Sequence, residues 1–290
     1  MHSREMVSGM DRSKFSEIFP SLSGIEELSS GGYKTVYKAV HPSHGDVVLK
    51  IIKPSQDNLE LCERIKREIR SSEIVKSEHI PRIFESCVTG DDFWIIEELI
   101  DGKTLRDVLK TGKRFSLAEI YYFLETILSI IIKAEQVKIV HRDIKPENII
   151  IGTDGKLWLI DFGIARHLDL DSLTNSNAPF APFTVGYASA EQFRNRKRDI
   201  DSRTDLFAIG VVAYEMASGE NFYIKDARDA FQVIRKIERD PLPAIKIAGD
   251  SQFLLANFIK TIGDNRISRR PSSAQEALDI LRSIRTTLSF

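Results

Sequence analysis

His141-Arg142-Asp143-Ile144-Lys145-Pro146-Glu147-Asn148 is followed, 18 residues after Asp143, by Asp161-Phe162-Gly163. The apolar runs Asn148 to Ile151 and Leu157 to Ile160 lie between these two polar stretches. Gly152, Asp154 and Gly155 join the runs, so the spacing predicts a short β-hairpin. Upstream, Ser116-Leu-Ala-Glu119 fits a capping box that opens a helix reaching about Lys138. The plain reading of His141 to Asn148 is a buried polar turn between that helix and the hairpin.

The two stretches resemble the catalytic loop and the metal-binding Asp-Phe-Gly element of eukaryotic-like protein kinases. Phosphoryl transfer needs positioning and charge neutralisation more than covalent chemistry. The resemblance makes Asp143 the carboxylate that orients the attacking hydroxyl and accepts its proton. It puts Lys145 on the transferring phosphate, as in serine/threonine kinases. Asn148 and Asp161 become the hard oxygen ligands of a metal bridging the phosphates. ATP with Mg²⁺ is the implied cofactor pair, with Mn²⁺ the alternative metal.

Outward from this centre, Ser29-Ser-Gly-Gly-Tyr-Lys-Thr-Val36 resembles the family's Gly-rich loop. Gly31 is in place, whereas Ser29 and Lys34 stand where the family has glycine. Backbone amides of such a loop cradle phosphates. Val47-Val-Leu-Lys50 resembles the strand that carries the ATP-anchoring lysine, and Glu68 stands 18 residues on, where the family has its helix-C glutamate. The resemblance therefore implies a Lys50–Glu68 pair, with Glu73 as the alternative. Alone, a strand lysine reads as a solvated edge charge, and Glu68 as a helical partner of Arg64. Trp94 to Gly102 resembles the hinge between lobes. Adenine is expected on the backbone around Glu98 and Ile100, between the apolar Val36, Val48 and Ile150. The gatekeeper position falls on Glu97, a carboxylate that needs a partner or a proton there.

The activation segment is expected from Asp161 to Glu191, with Leu168 to Phe183 a mobile loop. Thr184 matches the threonine that bonds the catalytic aspartate and lysine. Glu191 is expected to pair with Arg270, and Asp205 to brace the catalytic-loop backbone. Arg142 suggests docking of a phosphate placed on Thr174 or Ser176, with Ser172 a further candidate. Arg194-Asn-Arg-Lys-Arg198 reads as a solvated face.

The resemblance implies an α+β, bilobal protein kinase fold. A small antiparallel β-sheet lobe with helix C precedes a larger, mainly helical lobe, and the resemblance places ATP in the cleft. Strand character appears over Gly24 to Val40, Val47 to Ile52 and Phe93 to Ile100, and His79 to Ile83 resembles a further strand. Leu59 to Lys76 has helical spacing. Asp205 to Ser218, Ala227 to Arg239 and Ser273 to Thr287 complete the helices. The expected division is an N-terminal extension over 1–23, an N-lobe over 24–100 and a C-lobe over 101–290.

Composition agrees with that reading. With 290 residues, 42% of them hydrophobic, the chain can bury a substantial core. Lys+Arg (41) and Asp+Glu (42) nearly cancel, so no global field draws the chain to nucleic acid or an anionic membrane. Cys62 and Cys87 are too few for a disulfide framework. Met1 to Pro20 lacks a signal peptide's apolar core, and Ile127 to Ile132 is far shorter than the roughly 20 residues a membrane span needs. The expectations are a cytoplasmic, soluble serine/threonine kinase acting on proteins and on itself, with a separate regulatory protein or Met1 to Ser23 supplying control. The competing reading is a pseudokinase scaffold. It draws on Ser29, Lys34, Phe183 and Ala190 where the family has other residues, and on polar Ser72 beneath helix C.

Overall fold

A computed structural model describes residue 15 and residues 17–31, 34–52, 73–89, 92–161, 185–194 and 200–290. Several expectations fall outside these residues. They concern Glu68 and most of the Leu59 to Lys76 helix, Phe162, Gly163, Thr184, the Leu168 to Phe183 loop with its phosphorylation candidates, and the basic run beyond Arg194. The chain divides into two compact units. One takes the described residues up to Glu73 together with Pro81–Ile100; the other takes Ile74–Ile80 together with Asp101–Phe290.

The first unit is an antiparallel sheet ordered β1-β2-β3-β5-β4. Its strands are β1 (Ser23–Ser30), β2 (Lys34–His41), β3 (Gly45–Ile52), β4 (Ile83–Thr89) and β5 (Asp92–Glu98). The apolar stretch from Gly24 to Val40 is two strands, broken where Gly31 N–H donates to the Lys34 carbonyl at 2.8 Å. The strand expected at His79 to Ile83 starts only at Ile83, because Pro81 has no N–H to give to a ladder.

Alternation puts Tyr37, Ala39, Val47, Leu49, Ile51 and Ile96 on one face of this sheet, all buried. Phe15, Phe19 and Leu22 close that core from the N-terminal side. Phe15 meets Tyr37 edge-on at 5.3 Å between centroids, and Phe19 meets Trp94 at 5.2 Å. Each such burial contributes about 1.5–3 kcal/mol. Residues read as an extension are therefore part of the sheet's packing. The opposite face carries Val36, Val48, Lys50, Ile95 and Glu97.

The second unit is mainly helical: α1 (Leu105–Lys110), α2 (Leu117–Gln136), α3 (Ala190–Phe193), α4 (Ser202–Ser218), α5 (Ala230–Arg239), α6 (Leu254–Ile262) and α7 (Ala274–Ser283). A three-stranded antiparallel sheet joins them, ordered β6 (Gly102–Thr104), β7 (Ile149–Gly152) and β8 (Leu157–Leu159). Ser116 and Glu119 form the expected capping box of α2. That helix and α4 supply most of the core, including fully buried Phe123, Leu124, Ile127, Leu206 and Phe207. The chain's α+β architecture, a β-sheet lobe and a larger helical lobe, is the one the sequence predicted. Sequence reading did not resolve β6, α1, α3 and α6. The closing helix ends at Ser283, and Arg285–Thr287 follow as a 3₁₀ turn.

His79 ties Ile74–Ile80 to the second unit. Its Nδ1 donates to the Leu157 carbonyl at 2.7 Å, and its own carbonyl accepts from Leu159 N–H at 2.8 Å. No helix among the described residues is long and apolar enough to cross a membrane.

Candidate active site

The loop from His141 to Asn148 leaves α2 and enters β7 through a 3₁₀ turn at Pro146–Asn148. Asp143 sits at its centre. Lys145 Nζ lies 2.8 Å from Asp143 Oδ2. Asn148 Nδ2 donates both to that oxygen and to the Asp143 backbone carbonyl, each at 2.8 Å. A carboxylate held from two sides is oriented before any substrate arrives.

The loop's backbone is braced from α4. Asp205, buried in the first turn of that helix, accepts the His141 N–H at 2.8 Å and the Arg142 N–H at 2.7 Å. This is the brace expected for Asp205. Arg142 has φ 65°, a left-handed conformation that is costly for a bulky side chain. The two bonds to Asp205 hold it there. Gln192 on α3 adds a third tie, its Nε2 donating to the Arg142 carbonyl at 3.0 Å.

His141 is wholly buried beneath the loop. Asp143 N–H donates to its Nδ1 at 3.3 Å, which leaves the proton of the neutral ring on Nε2. Burial pulls its pKa down to about 4, against the opposing pull of Asp143 and Asp161. The ring is therefore neutral near pH 7 and acts as a structural post.

Asp161 follows β8 with φ 60°, a left-handed turn that carboxamide and carboxylate residues tolerate better than most. Its carboxylate and the side-chain oxygen of Asn148 are the hard donors a magnesium ion prefers. The Asn148 amide nitrogen is committed to Asp143, so the oxygen is the atom this side chain can offer a cation. Among the described residues no group of three or more histidine, cysteine or acidic side chains gathers as a metal site. A two-ligand set suits Mg²⁺, which usually keeps waters and phosphate oxygens for its remaining positions.

In the first unit, strand register puts three of the remaining candidates, Val36, Val48 and Lys50, on one face. Val36 faces Lys50, Lys50 faces Ile95, and Val48 faces Glu97. Glu98 N–H donates to the Arg82 carbonyl at 2.8 Å, and the Glu98 carboxylate accepts from Arg82 N–H at 3.2 Å. Ile100 lies just beyond β5, and Ile150 lies in β7 of the other unit. Ser29 is exposed in β1, opposite Val36. Glu97, at the expected gatekeeper position, has a partner: Lys50 Nζ lies 2.5 Å from its Oε1. Glu68, the partner implied by resemblance, lies outside the described residues.

Two further constellations support the loop. Glu191 pairs with Arg270 as expected, Oε1 to Nη1 at 2.6 Å. The other was not foreseen. Arg106 of α1 bonds Glu147 and Glu215 at 2.7 Å each, and Tyr187 hydrogen-bonds with both Arg106 and Glu215. Burial, and then the neighbouring Glu215, push the Tyr187 phenol well above its ordinary pKa. Its four members are scattered along the chain, so spacing offered no signal beyond Glu147's place in the loop.

The model of the protein kinase domain matches residues 22–282. The chain is 29% identical over 277 residues to the serine/threonine-protein kinase PknB of Mycobacterium leprae, covering 91% of this chain. It is 32% identical over 195 residues to the serine/threonine-protein kinase PrkC of Bacillus subtilis, covering 66% of this chain. The match spans less than half the length of these relatives, 43% of PknB and 29% of PrkC.

Proposed function

The chain belongs to the protein kinase domain family, and from that premise we propose that it transfers the γ-phosphate of ATP to serine and threonine hydroxyls of proteins, itself included. The observation that carries the reading is the Asp143 carboxylate, met at 2.8 Å by both the Lys145 ammonium and the Asn148 amide. A pre-oriented carboxylate beside a cation is what in-line transfer to a hydroxyl requires.

Asp143 accepts the proton as the substrate oxygen bonds to the γ-phosphorus and the bond to ADP breaks. Lys145 offsets the charge that builds on the transferring group. Asn148 and Asp161 would hold a magnesium ion, which would supply positive charge against the phosphate oxygens. Lys50 engages the α- and β-phosphates, with Glu68 the further carboxylate assigned to it. Ser29, Gly31 and their neighbours cover the phosphates. The resemblance assigns adenine's hydrogen bonds to backbone groups of Glu98 and Ile100 and its apolar contacts to Val36, Val48 and Ile150. The division into lobes is 24–100 and 101–290, with 1–23 as the extension, of which Phe15, Phe19 and Leu22 pack on the first lobe's sheet. Proteins are the substrate class. The scarcity of cysteine and the need for ATP support a cytoplasmic setting.

The test is labelled ATP with Mg²⁺ and generic protein substrates. Wild type is expected to transfer phosphate at or below about 1–100 s⁻¹, and Asp143→Asn and Lys50→Met are expected to be inactive. Nucleotide binding without transfer under these conditions would overturn the reading.

A further inference from the structure

We infer that Glu97 is a positioning residue for Lys50, fixing the ammonium from within the sheet that carries it. The inference rests on the kinase reading and adds a residue to its nucleotide site. Val48 of β3 lies directly opposite Glu97 of β5, and Lys50 opposite Ile95. Lys50 and Glu97 are therefore diagonal neighbours on one face, a separation that long side chains span. They do so here, with Nζ 2.5 Å from Oε1 and the two side chains only 5% and 11% exposed.

The position of the pair sets what it does. Both strands are ladder-bonded along their length, so the carboxylate is carried on a rigid element. Lysine otherwise has a flexible four-carbon stem whose ordering opposes phosphate binding. A bond to β5 orders the stem in advance. The ammonium has three donors, so a bond to Glu97 does not by itself exclude phosphate oxygens. Glu97 is thus compatible with phosphate on the same lysine. An apolar gatekeeper would leave the stem without this support. Glu97 also immediately precedes Glu98, whose backbone carbonyl is offered to adenine. One strand end thereby sets both ends of the nucleotide's footprint on this sheet.

Removing the charge from one half of a buried pair takes away the contact that orders the other half. Glu97→Gln keeps the shape and removes the charge. The expected result is a raised KM for ATP with a lowered kcat, together at least about a tenfold loss in kcat/KM. A fluorescent ATP analogue should bind more weakly to the same variant. Glu97→Asp, which keeps the charge on a shorter stem, is expected to lose less. If Glu97 acts through Lys50, Glu97→Gln adds no further loss of nucleotide affinity in a Lys50→Met background. Thermal melts of each variant separate a folding defect from a kinetic one, and Glu97→Asp carries the test if Glu97→Gln does not fold.

Wild-type kinetics in both Glu97 variants, or losses that multiply independently in the double variant, would overturn the inference. So would faster turnover in Glu97→Gln, which would mean that Glu97 withholds the lysine. These outcomes leave the kinase reading standing. Wild-type protein that binds no ATP analogue would sink that reading, and this inference with it.

Discussion

Arg270 and Glu191 form a buried ion pair 79 residues apart in the chain, with the guanidinium Nη1 2.6 Å from the carboxylate Oε1. Arg270 also donates to the backbone carbonyls of Asp264, Arg203 and Asn265 and lies over the Phe207 ring, 5.0 Å from its centroid. Thr204 adds a hydroxyl to Glu191 at 3.2 Å. The pair therefore ties the segment after Val185 to α4 and to the turn before α7. Arg270→Ala would leave a buried carboxylate unpaired and several carbonyls unmet. The expected cost is about 3–5 kcal/mol, read from urea unfolding. Arg270→Lys is expected to recover only part of it, because a single ammonium cannot reproduce the planar fork. Wild-type stability in Arg270→Ala would contradict this account.

Asp205 accepts two adjacent backbone amides, and Asn at this position could accept only one. Asp205→Asn should leave a buried N–H unmet, costing about 1–3 kcal/mol. It should also release Arg142 from its left-handed conformation, which carries about 1–3 kcal/mol of strain of its own. Asp143 is the next residue, so its carboxylate would shift. The expected kinetic result is a fall in kcat of about tenfold to a hundredfold, with the KM for ATP nearly unchanged. A variant with full kcat would show that the loop holds its shape without the brace.

These two devices could be named from the sequence because Thr184 to Glu191, Asp205 to Gly210 and Arg269 to Pro271 each resemble a stretch of the family. The Lys50–Glu97 pair could not. Its residues are 47 apart, and only the register that sets Val48 against Glu97 makes them neighbours. Sequence reading left Glu97 needing a partner or a proton, and named no partner. Phe15, Phe19 and Leu22 have a similar history. Their apolar spacing is visible, but the sheet face they cover is defined by strands that begin only at Ser23. The Arg106–Tyr187–Glu215 network is harder still to read. Each member looks like an ordinary polar residue until α1 and α4 come together.

His141 makes stability depend on pH. Its folded pKa is about 4, pulled down by burial, against roughly 6.5 in an unfolded chain. Between those values the unfolded chain binds more protons than the folded one, so stability falls as pH falls. The contribution is whole above about pH 6.5 and is lost progressively down to about pH 4, up to roughly 3 kcal/mol in all. Asp143, Asp161 and Lys145 face the ring electrostatically, and their opposing signs partly cancel. Urea unfolding of wild type and His141→Phe at pH 7.5, 6 and 5 would check this. The wild type should lose more stability across the series; equal losses would mean that the ring does not set the dependence.

Gly210 decides how closely α4 and α6 approach. A Cβ there would lie 2.5 Å from Gly263 N, 2.6 Å from Gly263 Cα and 3.0 Å from the Ile259 carbonyl oxygen. All three are backbone atoms, so no side-chain rotation relieves the clash. Helix propensity alone favours alanine over glycine by about 1 kcal/mol. Overpacking opposes it by about 1–3 kcal/mol, and more where backbone must move. Gly210→Ala is therefore expected to destabilise the protein and lower its Tm, despite placing a better helix former in a 17-residue helix. Gly263→Ala is the contrast. Its nearest obstacle, 2.6 Å away, is Leu242 Cδ1, the end of a flexible side chain, with the Ile259 carbonyl next at 3.1 Å. It should cost less than Gly210→Ala. If the order were reversed, the helix crossing would be limited by side-chain packing and not by backbone contact.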